Sequence, residues 1–155
     1  MHSRIFQIEK SPVAKDEYIT SDYIPEWFTN SVADYTSDAS DREEDIEWLM
    51  STELCDIASV VGNKLIFSSD VSRYFKKKYE SFITAAEILS KTTFDDFVGS
   101  NSVYSNIFKL KESYSDRYGF YVYCEDGFLD TLDNFMRGVK CGEIYYIGGV
   151  VDYHC

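Results

Sequence analysis

The sequence predicts an α+β fold: a small mostly antiparallel sheet with several helices packed on it, on one side, in a single domain. Three observations predict this. Short apolar runs rich in β-branched and aromatic residues, at 4–9, 64–67, 120–124, 143–147 and 150–153, read as strands. Longer stretches with apolar residues at helical spacing stand between them. The two kinds alternate irregularly, and the last two strands are close enough to pair locally without a crossover helix. The 155 residues suit one globular domain, 1–155, and the 45% hydrophobic and 17% aromatic content is enough to build a core.

Taken in order, Arg4–Glu9 is a strand ended by Ser11-Pro12, and residues 13–22 are a loop. Pro25 suits the first turn of a helix on which Phe28, Val32 and Tyr35 share a face, and Thr36–Ser40 breaks that pattern. Ser40-Asp41-Arg42-Glu43 has the form of a capping box opening a helix with the stripe Ile46, Leu49, Met50 and Leu54. Gly62-Asn63 is a turn before the strand Lys64–Phe67. Ser69 or Asp70 then caps a long helix running to about Ser90, with Val71, Tyr74, Phe75, Phe82 and Leu89 at helical spacing. Phe94–Val98 is a single helical turn ending at Gly99, and a further helix starts at Val103, with Gly119 in the position of a C′ glycine. After the strand Phe120–Cys124 and the turn Glu125-Asp126-Gly127, Leu129, Leu132, Phe135 and Met136 predict a helix ending near Gly138. Gly148-Gly149 between the last strands is a hairpin turn or a bulge.

The charge is distributed unevenly. Of the net −12, all lies in residues 16–56, which hold 13 acids and one base, Arg42; the remainder holds 14 of each sign. The same acidic, aromatic-rich segment contains Tyr18, Tyr23, Trp27, Phe28, Tyr35 and Trp48. Helix capping accounts for the acids of one first turn. Beyond that, carboxylates that steer a basic protein and exposed aromatics that anchor it make a contact surface. The expected partner-binding residues are Asp34, Tyr35, Asp38, Asp41, Glu44, Asp45, Glu47 and Trp48. Trp48 stands off the apolar stripe; its alternative use is packing against a neighbouring element. The basic cluster Arg73, Lys76, Lys77 and Lys78 reads as a solvated face or a neutralising one, because so acidic a chain is a poor ligand for free nucleic acid or an anionic membrane.

Catalytic chemistry has little to stand on. The two histidines, His2 and His154, lie beside the ends of the sequence, and no nucleophile elbow, phosphate-binding glycine loop, dinucleotide fingerprint, zinc-protease motif or calcium loop occurs. Cys124, Cys141, His154 and Cys155 are the only zinc-type set, but they lack close Cys-x-x-Cys pairs and end in an adjacent His-Cys, so no metal and no cofactor is expected. The cysteines read as reduced thiols. No apolar run approaches the roughly 20 residues of a membrane span, and no signal-peptide core opens the chain, so a cytoplasmic location is expected.

The function expected is therefore non-catalytic. It is binding of a basic partner through an acidic surface, with a nucleic-acid-mimicking inhibitor of a nuclease or DNA-binding enzyme as the leading reading. Small acidic proteins of phages and mobile elements that disable restriction or CRISPR nucleases are similar in composition, though in no motif. The alternatives are an immunity protein against a basic toxin, an accessory domain whose acidity serves solubility, and an enzyme with a polar pocket of perturbed ionisation.

Overall fold

The computed structural model describes residues 2–155. In chain order the elements are β1 (His2–Glu9), α1 (Glu26–Ser31), β2 (Tyr35–Asp38), α2 (Arg42–Thr52), β3 (Ala58–Val61), β4 (Lys64–Phe67), α3 (Ser72–Ser90), α4 (Phe94–Gly99), α5 (Asn101–Tyr114), β5 (Tyr121–Tyr123), β6 (Leu129–Thr131), α6 (Leu132–Gly138) and β7 (Ile144–His154). Two single 3₁₀ turns, Lys15–Glu17 and Ser21–Tyr23, punctuate the loop after β1. All seven strands belong to one sheet of order β3-β4-β7-β1-β5-β6, in which β2 also pairs with β7. Only β1 and β5 run parallel, so the sheet is mixed and mostly antiparallel.

Alternation along the strands gives the sheet two buried faces. Phe6, Ile8, Val122, Ile147 and Val150 face α2, α6 and the start of α3, where Ile46, Leu49, Leu132 and Met136 complete the larger core. Ile5, Tyr121, Val151 and Tyr153 face the opposite way. There Ile19, Ile24, Phe28 and Ala33 cover them, so helices on one side only is corrected to cover on both. The second cover is mostly irregular chain, which carries no helical period for the sequence to show.

Several element boundaries also shift. α1 stops at Ser31, and Tyr35 lies on β2, whose four residues pair with the far end of β7. The α2 cap is Asp41, one residue after the serine of the expected capping box; its carboxylate accepts the Glu44 N–H at 3.0 Å. β3 makes a two-residue hairpin with β4 through Gly62-Asn63, where Gly62 takes φ 61°, the positive value that a primed turn requires. Leu129 is on β6, not on the helix that follows it. Gly119 is no helix cap, since α5 ends at Tyr114 with Ser115 as its cap.

Gly148-Gly149 is a bulge inside one continuous strand. The β1–β7 register passes from Phe6↔Val150 to Ile8↔Ile147, so β7 carries one extra residue opposite Gln7. Buried Gln7 fills the gap: its Oε1 accepts the Gly149 N–H at 2.8 Å and the Ile19 N–H at 3.0 Å. On the other side Arg42 donates to the Gly148 and Ile147 carbonyls at 2.6 and 2.8 Å. The single base of the acidic segment is thus turned inward to hold the sheet.

Residues 72–114 form a helical hairpin standing off this body. Only its base, Tyr74 and Phe75, packs on the core. There the Asp133 carboxylate accepts the Tyr74 hydroxyl at 2.7 Å and pairs with Lys78 at 3.0 Å. Where α5 ends, burial, then a hydrogen bond to Asp116 and its charge, push the Glu112 carboxyl up to about 7. Between its ordinary value and about pH 7 the folded chain holds a proton that the unfolded chain has released. Stability therefore falls as pH rises through that window. Glu112→Gln should be more stable than the parent at about pH 8, with the difference vanishing near about pH 4.5, in urea unfolding. A difference independent of pH would show that the two carboxyls share no proton.

Candidate partner-binding surface

The β1–β7 register places His2 opposite His154 and Arg4 opposite Asp152, and their side chains share the α2 face at one end of the sheet. Neither histidine is frayed. The His2 and His154 rings meet edge to face at 5.0 Å, and His2 Nδ1 lies 3.1 Å from the Asp152 carboxylate. His154 Nδ1 lies 3.2 Å from Asp34, and the Tyr35 ring stacks on His154 at 5.4 Å, nearly parallel. Arg4 donates to Asp152 at 2.5 Å and to Asp45 at 2.6 Å, with its guanidinium 5.3 Å over the Trp48 ring. Trp48 in turn meets the ring of Phe120 edge-on at 4.7 Å. A continuous rim therefore runs from Asp34 and Tyr35 through both histidines and Arg4 to Trp48.

The structure sorts the expected contact residues. Asp34, Tyr35, Glu44, Glu47 and Trp48 are exposed; Tyr35 is 49% and Trp48 37% accessible. Trp48 combines both of its readings: it packs against Phe120 and under the Arg4 guanidinium, and still stays exposed. Asp41, Glu44 and Trp48, at i, i+3 and i+7, form one strip along α2, with Glu47 further out. Asp38 and Asp41 are exposed but employed: Asp38 accepts the Ser21 N–H at 2.7 Å, and Asp41 caps α2. Asp45 is corrected from a surface contact to a buried residue, 6% accessible and committed to Arg4. Burial pushes its carboxyl above the ordinary range, and Arg4 only partly reverses this.

Every acid of 16–56 except Asp45 and Glu53 is exposed. They do not all share a face. Asp22 and Glu26 lie on the cover of the second sheet face, Glu44 and Glu47 lie over the first, and Asp34 stands at the rim. Beside Trp48 is a shallow cleft of about 260 Å³, with His2, Glu53, Asp116 and Tyr118 among its lining residues. Burial raises the Glu53 carboxyl above its usual range, with Lys78 opposing. The sequence reading missed His2, Arg4, Asp152 and His154 as members of the rim. Their only signal is alternation at the two ends of the chain, His2/Arg4 and Asp152/His154.

The zinc-type residues are not assembled. Cys124 follows β5 beyond the Gln7↔Tyr123 pair, whereas His154 pairs with His2 at the other end of β1, about 20 Å away at about 3.3 Å per residue. Among the described residues no group of three His, Cys, Asp or Glu side chains could hold a metal, no disulfide joins the cysteines, and no helix is long and apolar enough to cross a membrane. No family model matches the chain, and no curated protein or solved structure matches it either.

Proposed function

We propose that this protein is a non-catalytic binding protein in which Asp34, Tyr35 and Trp48 of the rim, with Glu44 and Glu47 on the adjoining surface of α2, engage a basic protein surface. In its fuller form it is an inhibitor that offers carboxylates where a nuclease or DNA-binding enzyme expects phosphates. The observation that carries this reading is the pairing of exposed acids with half-exposed aromatics on rigid elements, while Arg42 is withdrawn into the sheet. Carboxylates raise the encounter rate with a cationic groove, and Tyr35 and Trp48 supply apolar anchors at low conformational cost. Asp45 and Arg4 hold Trp48 in place and take no part in the contact themselves.

The test is capture from cells that carry the gene, or from the cells they invade, with three baits. The triple variant Asp34→Asn, Glu44→Gln, Glu47→Gln should lose the basic protein that the parent retains. The control Asp22→Asn, Glu26→Gln removes charge on the other side and should keep it. Equal retention by all three baits would show that these acids do not make the contact, and equal loss from both variants would show that the acidity acts only as bulk charge.

A further inference from the structure

The hairpin of α3, α4 and α5 has no core of its own. α3 is 19 residues long, about 28 Å, yet Ala85 is its one buried residue, and neither α4 nor α5 has any. The half-buried positions of α5 include Val103, Asn106, Leu110 and Ser113, at i, i+3, i+7 and i+10. Ser113 donates to Ser81 of α3 at 3.0 Å, which fixes that side as the one turned to α3. Tyr104, Ile107 and Phe108, at i, i+3 and i+4, project from a different face and are 74%, 45% and 46% accessible. At the tip, Phe94, Phe97 and Val98 are 79%, 72% and 69% accessible. Large side chains of this kind expose 150–250 Å² each when free, so these six leave on the order of 700 Å² uncovered. Summed over the α5 stripe and the tip, this approaches the roughly 800 Å² that each partner contributes to a standard interface.

The charge on the hairpin indicates what covers it. Residues 72–114 hold seven bases and five acids, a net +2, so the rest of the chain carries −14. Two copies repel strongly through their bodies, each −14, and meet far less repulsion through their hairpins, each only +2. We infer that the protein is a two-fold dimer in which the hairpins of two copies pair, α5 against α5, into a four-helix bundle. Such a contact is isologous, so the same apolar stripe supplies both sides and growth stops at two. The acidic bodies then stand at opposite ends of the bundle, with both rims free. The inference is independent of what the rim binds.

Analytical ultracentrifugation of the full chain tests it, over about 5 to about 200 μM. The expected species has twice the chain mass of 17.9 kDa. Phe108→Glu and Ile107→Arg, each at an exposed position, should each sediment at the single-chain mass, with circular dichroism and the urea midpoint showing that the fold is kept. A parent that stays monomeric throughout, variants that fold and remain dimeric, or assemblies that grow beyond two with concentration would each overturn the inference.

Discussion

Arg4→Met should lower the unfolding free energy by about 4 kcal/mol, the largest single effect expected of any side chain in the rim. The methionine keeps most of the apolar stem of the arginine, so the loss is electrostatic. Asp45 is left with a buried carboxylate and no cation, and Asp152, 19% accessible at its side chain, keeps only His2. A buried charge without its partner costs far more than the intact pair contributes. The cost should shrink as pH falls, because protonation of Asp45 removes the unpaired charge, and burial already holds that carboxyl above its usual range. Adding Asp45→Asn should recover part of the loss for the same reason. Urea unfolding of the two single variants and the double variant reads the coupling directly; additive effects would mean that Arg4 and Asp45 do not act on each other.

Gly149→Ala is the second large effect, at about 3 kcal/mol. A Cβ at Gly149 would stand 2.5 Å from the Ile19 carbonyl oxygen and 2.7 Å from its nitrogen, and backbone cannot move aside as a flexible side chain does. Gly148→Ala meets the Gln7 amide instead, at 2.3 Å, and expels the acceptor that serves two buried N–H groups. Both substitutions therefore act on the same junction, where the loop after β1 is fastened to the bulge of β7. Thermal unfolding separates them from a neutral change. If Gly149→Ala were as stable as the parent, the close approach of residue 19 to the bulge would be contradicted.

The features legible in the sequence were those with a local cause. The long helix α3 shows its period over 19 residues, and β1 and β4 show bounded apolar runs. The features that were not legible depend on distant partners. β2 has four polar or aromatic residues and becomes a strand only because β7 extends past β4 and offers its edge. Leu129 falls at helical spacing from Leu132 and Met136 by coincidence, while the Gly127 turn, with φ 72°, commits it to a hairpin with β5. In the rim the acids and aromatics were visible as types, but which of them are exposed was not. Asp45 differs from Glu44 only in meeting Arg4, 41 residues away in sequence, and the histidines come together only through the pairing of β1 with β7.

The most direct measurement of the central claim is the affinity for the captured basic partner as a function of salt, with duplex DNA as competitor. If carboxylates of the rim occupy a phosphate-binding groove, the affinity should fall at least about tenfold between about 50 and about 300 mM salt, and DNA should displace the protein. An affinity that is indifferent to salt, and a complex that DNA does not disturb, would contradict it.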